Sequence, residues 1–98
     1  MDVKDIRIKE NSWKAHLTAR CLRVDNVAFT LGKTIHLHNA TRNEFLKDER
    51  WVKHELKHVE QFRKHGYISF ILKYVIETIR KGYYNNKYEI EARMAEKP

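Results

Sequence analysis

The chain has 98 residues, 20 of them Lys or Arg and 13 Asp or Glu, for a net charge of +7; 42% of residues are apolar and 34% charged. That apolar share excludes a disordered tail, and the length excludes a second full domain while leaving a core thin enough for a bound metal to add to stability. Cys21 is the single cysteine and closes no internal disulfide, and Met1-Asp2-Val3-Lys4-Asp5 lacks the basic-then-apolar order of a secretory signal. The stretch Ile68 to Ile79 is broken by Ser69, Lys73, Glu77 and Thr78 and falls short of the roughly 20 residues of a membrane span. These features predict a soluble, cytoplasmic protein.

The first ten residues alternate loosely at Val3, Ile6 and Ile8 and are compatible with an arm, a strand or a short helix. Leu17, Cys21, Leu22 and Val24 then lead into Val27-Ala28-Phe29-Thr30-Leu31, Gly32-Lys33 and Thr34-Ile35-His36-Leu37-His38. Two β-rich runs around a Gly-X pair predict a hairpin with a type II′ loop. Ile35 and Leu37 would face one side of its second arm, and Thr34, His36 and His38 the other, giving a small, half-buried sheet. Thr41-x-x-Glu44 is a capping box before a short helix around Phe45-Leu46. Asp48 opens a long helix from Glu49 to His65, on which Trp51, Val52, Leu56, Val59 and Phe62 recur at helical spacing and after which Gly66 is the stop. A further helix runs from Ser69 to Lys81 and ends at Gly82; Asn86 caps a last one from about Tyr88 to Glu96. Sheet first and helices after is the α+β pattern: a hairpin packed on a central helix, with two further C-terminal helices.

The central helix carries His54-Glu55-Leu56-Lys57-His58. Residues four apart stand on one helix face with Cβ atoms about 5–6 Å apart, so two imidazoles can reach one Zn²⁺ ion. Glu55 lies about one hundred degrees round from His54 and can point at the metal's open position, which makes it the natural general base. A hydrolytic zinc needs a third protein ligand. Glu89, Glu91 and His65 are the donors in reach, since the stops at Gly66 and Gly82 supply two chain reversals that can return the last helix across the central one.

His54 to His58 followed by Glu89-x-x-Ala92 resembles the gluzincin metallopeptidases, in which a helical H-E-x-x-H supplies two histidines and a later helix a glutamate. The size and order are similar to the minigluzincins, and to an uncharacterised bacterial group carrying the patterns seen here at Thr34 to His38, Trp51 to Gln61 and Asn86 to Ala92. The resemblance covers about the last two-thirds of the chain. It implies a single zincin-like domain over 1–98, zinc held by His54, His58 and Glu89 rather than Glu91, and Glu55 as base in the hydrolysis of a peptide or protein substrate. It also implies an edge strand, Thr34 to His38, that pairs with extended substrate, and an oxyanion donor drawn from Tyr83, Tyr84 or His65. Residues 1–14 become a possible latency segment across the cleft. Arg93 departs from the family, standing where an Asp would orient a ligand histidine.

Blander readings stand beside this one. His36 and His38 are surface or cleft lining, Cys21 is a small core residue, and Phe70, Tyr74, Val75 and Ile79 form a stripe that reads as core. A catalytically inactive zinc-binding relative shares every motif above. A basic nucleic-acid-binding module would use Lys53, Lys57, Arg63, Lys64, Arg80, Lys81 and Lys87, but acidic residues interleave with them and no RNA-reading aromatic motif or zinc-finger spacing is present.

Overall fold

A computed structural model describes residues 6–22 and 26–97, with the backbone alone at 21 and 22. Its elements are β1 (Arg7–Lys9), α1 (Trp13–Leu22), β2 (Val27–Leu31), β3 (Thr34–His38), α2 (Arg42–Lys47), α3 (Glu49–His65), α4 (Tyr67–Lys81) and α5 (Lys87–Ala95). The α+β class and the hairpin are as expected. Leu31 pairs with Thr34 and Val27 with His38, and φ is +62° at Gly32 while Lys33 stays out of the left-handed region, the signature of a II′ loop.

The sheet has a third strand, and that changes its edges. β1 pairs parallel to β3 with Ile8 opposite Ile35, so the order is β1-β3-β2. The expectation that Thr34 to His38 is an edge strand is therefore overturned: β3 is central, with β1 on one side and β2 on the other. The edges are β1 and β2. Of the segment 1–14, residues 7–9 are built into the sheet on the side away from β2, and residues 1–5 lie outside the described residues.

Helix α1 is the element the sequence reading missed. Among its described side chains the buried ones are the small Ala15 and Ala19, 0% and 2% exposed, while the conspicuous Trp13 and Leu17 are 66% and 55% exposed, so the apolar periodicity points the wrong way. A local signal did exist in Ser12, which occupies the N-cap position: the amides of Ala15 and His16 reach its hydroxyl and its carbonyl at 3.5 and 2.9 Å. The same hydroxyl lies 2.8 Å from Nδ1 of His36. His36, stacked on Phe29 with ring centroids 5.1 Å apart, is therefore buried beneath α1, a correction to its place on the open side of a half-buried sheet. The side chain of Cys21 is not among those described.

The opposite face of the sheet builds the first core, in which Ala28, Ile35 and Leu37 meet Val59 of α3 and Phe45 of α2. Local chemistry sets the helix limits. Thr41 and Glu44 form the reciprocal capping box of α2, the Asp48 carboxylate accepts from the Trp51 amide, and Gly66 ends α3 at φ +85°. α4 starts at Tyr67, two residues earlier than expected. The Asn86 side chain caps α5 by accepting from the Tyr88 amide. A second core of Phe62, Phe70 and Tyr88 joins α3, α4 and α5 and brings α5 back across α3.

Candidate metal centre

α3 turns a polar face inward. Its buried residues include Glu55, His58 and Gln61, groups that are rarely enclosed unless each has a partner. Here each has one. The two oxygens of Glu89, in the first turn of α5, divide between the imidazoles, with Oε1 3.0 Å from Nε2 of His54 and Oε2 3.2 Å from Nε2 of His58. Ligand-type atoms of His54, His58 and Glu89 all lie within 4.8 Å of one another, and this is the only such group among the described residues.

The other ring nitrogens are also held. Gln61 donates through Nε2 to the Tyr88 carbonyl at 3.1 Å and to Glu91 at 2.9 Å, so its Oε1 is the atom that accepts from Nδ1–H of His58 at 2.9 Å. Nδ1–H of His54 donates to Oε2 of Glu96 at 2.6 Å. With both Nδ1 atoms committed as donors, the neutral imidazoles present Nε2 lone pairs to the point between them. That is how histidine ligands are oriented in metal sites. Two imidazole nitrogens and one carboxylate are a donor set that suits a divalent ion such as zinc and leaves a further position for water.

Glu96 and Gln61 were not singled out in the sequence, although spacing marks both. Gln61 follows His58 by three residues on one helix face, and Glu96 follows Glu89 by seven, two helical turns. Between the two glutamates Ala92 is fully buried, and its small side chain lets α5 come close to α3. Arg93 plays no part in orienting a histidine: its guanidinium donates to the Tyr84 carbonyl at 2.5 Å and covers the Tyr84 ring.

Electrostatics follow from this enclosure in the metal-free chain. Burial disfavours the charged form of His54, but the hydrogen bonds to Glu89 and Glu96 and the charge of Glu55 outweigh it and hold the pKa at about 9. His58 is raised in the same way, burial being overcome chiefly by Glu89. Burial would lift the carboxyl of Glu89, yet the hydrogen bonds from His54, His58 and Tyr74 hold it well below the ordinary carboxylate range. Glu55 goes the other way: burial, only partly offset by the two imidazoles and the Thr30 hydroxyl, pushes its pKa up to about 7. Thr30 donates to Oε1 of Glu55 at 2.9 Å, which ties the side chain to β2.

The remaining expectations divide by position. Glu91 accepts from Gln61 outside the cluster, and His65 stacks on Phe70 beside Lys73, so neither belongs to the metal group. His38 lies 3.3 Å from Nδ1 of His16, on the α1 side of the sheet. Tyr84 is largely exposed beneath Arg93, whereas Tyr83 lines the cleft. The stripe on α4 is not uniformly core: Phe70 is buried, Val75 and Ile79 are exposed, and Tyr74 gives its hydroxyl to Oε2 of Glu89. A cleft of about 430 Å³ opens over the cluster, with β2 along it, Leu17 and Ile71 among its apolar walls, and His54, Glu55, His58 and Glu89 at its polar end.

No curated protein and no solved structure matches the chain. The model of the eCIS core domain matches residues 1–66, a span that takes in the sheet and α3 through Gly66, and with them His54, Glu55 and His58 but not Glu89; the chain belongs to the eCIS core domain family.

Proposed function

We propose that this chain is a zinc-dependent metallopeptidase-type domain that hydrolyses peptide bonds, with one zinc ion held by His54, His58 and Glu89 and with Glu55 as general base. The observation that carries the reading is the convergence of two Nδ1-anchored imidazoles on a single carboxylate, beside a buried glutamate in an apolar cleft. Zinc, when bound there, supplies polarisation of the scissile carbonyl and lowers the pKa of a water toward about 7. The chain's own groups do the rest. Glu55, tethered by Thr30 and enclosed at the polar end of the cleft, takes a proton from water and passes it to the leaving amine. The Tyr83 hydroxyl, on the wall of the cleft and with its pKa raised by partial desolvation and by the charges of Glu89 and Glu55, is the donor to the developing oxyanion. β2 takes the place first assigned to β3, since its backbone edge, unpaired among the described residues, runs along the cleft and can add an extended substrate as a further strand.

The resemblance to gluzincins, and to minigluzincins among them, supports this reading through the order of helix, reversal and glutamate-bearing helix. The name of the matching family refers to an extracellular contractile injection system and specifies no reaction. The nucleic-acid reading is weaker, because two of its cations lie against acids: Lys57 is 3.4 Å from Glu60 and Lys81 is 3.4 Å from Glu77. No helix among the described residues is long and apolar enough to cross a membrane.

Metal analysis and a peptide-cleavage assay test the proposal together. Wild type should carry about one zinc per chain and His58→Ala should lose it; equal metal in both rejects the site. Glu55→Gln should keep zinc and lose hydrolysis. Zinc without hydrolysis in wild type would instead identify the inactive relative.

A further inference from the structure

The second edge of the sheet has a chemistry of its own. A groove of about 820 Å³ wraps the free edge of β1, continues past the hairpin turn and reaches the end of α3. Arg7, Lys9, Lys14, Lys33 and Arg63 line it together with His36, and among the described residues no Asp or Glu does. No ion pair among the described residues involves any of these five cations. The positive field is felt inside the fold: His36 is held below its ordinary pKa by burial and then by the charges of Lys14 and Lys9.

The two sides of this edge differ. Ile8 turns toward α3 and packs on the core that contains Ile35 and Val59, while Arg7 and Lys9 are exposed on the face shared with His36 and α1. The Arg7 amide donates to the Lys33 carbonyl at 2.9 Å, so by strand periodicity the amide and carbonyl of Ile8 point away from the sheet. An added strand would thus meet backbone groups that no described residue pairs with, an apolar surface on one side and cations on the other.

We propose that the β1 edge docks an extended acidic segment of a partner protein, its alternate residues apolar toward Ile6 and Ile8 and acidic toward Arg7, Lys9 and Lys14. The period-2 sidedness is what a β-strand presents and is the reason the occupant is a peptide. A nucleic acid would want stacking surfaces, and Tyr67 is the one exposed ring in the groove. A second copy paired through the same edge would set Arg7 and Lys9 against their own kind. The site is independent of the metal cluster and does not rest on the peptidase reading.

The test is fluorescence anisotropy on the full chain with a short labelled peptide alternating valine and glutamate. The same peptide with glutamine for glutamate, and a labelled oligothymidylate, are run beside it. The glutamate peptide should bind saturably, about tenfold or more weaker to Arg7→Glu/Lys9→Glu, and as well to Arg80→Glu/Lys97→Glu as to wild type. Lys33→Glu, in the exposed turn, repeats the measurement should circular dichroism show the double variant unfolded. Absence of saturable binding, equal binding of the glutamine peptide, or an equal loss in Arg80→Glu/Lys97→Glu overturns the proposal. Tighter binding of oligothymidylate that is lost in the same β1 variants also overturns it and assigns the groove to nucleic acid.

Discussion

Glu55 should cost the metal-free protein stability, and Glu55→Gln should recover it. The carboxyl is buried, and its pKa stands at about 7 against an ordinary 4.5. Between those values the folded chain retains a proton that the unfolded chain has released, so rising pH favours unfolding across that window. The interval, at about 1.4 kcal/mol per pH unit, corresponds to about 3 kcal/mol of destabilisation, complete above about pH 7 and absent below about pH 4.5. Glutamine is neutral throughout, and its Oε1 can accept the hydrogen bond that Thr30 now donates to Glu55. Urea unfolding of chelator-treated wild type and Glu55→Gln, followed from about pH 4.5 to about pH 8, should therefore show two curves that coincide in acid and separate to about 3 kcal/mol above neutrality, the variant being the more stable. His54 and Glu89 titrate in both proteins, so the difference reports mainly on position 55. Curves that stay parallel at every pH would refute the burial of an unfavourable carboxyl at position 55.

Other substitutions test the parts that hold the cluster. Gln61→Leu removes the acceptor of His58 Nδ1–H and the side-chain donor to the Tyr88 carbonyl; zinc affinity measured against a chromophoric chelator should fall about 10–100-fold. Ala92→Leu overpacks the close approach of α3 and α5, with an expected loss of about 1–3 kcal/mol in denaturant titration and reduced zinc content as Glu89 is displaced. Gly32→Ala puts a Cβ at 3.1 Å from the Tyr67 ring on a residue with φ +62°, so about 1–2 kcal/mol of stability should go. An unchanged midpoint there would mean that the turn readily adopts another conformation.

What could be read without coordinates was whatever a few neighbouring residues decide. The capping box of Thr41 and Glu44, the Asp48 cap, the stop at Gly66 and the cap at Asn86 each close a hydrogen bond within three or four positions, and each stands where expected. The shared face of His54 and His58 is equally local, because helical period alone places it. α1 escaped because the buried residues among its described side chains are alanines, whose small size leaves a weak periodic signal beside the exposed Trp13 and Leu17.

The sequence by itself determined the α+β order, the hairpin turn and the pair of imidazoles one turn apart. Only the tertiary structure decided that β1 inserts beside β3 and leaves β2 along the cleft, that Glu96 rather than a residue at 93 holds His54, and that Tyr74 serves Glu89 instead of filling the core. The division has one physical cause. Local elements are selected by short-range hydrogen bonds and period, whereas strand order and the partners of buried polar groups depend on contacts between segments tens of residues apart, whose geometry exists only once the helices have packed.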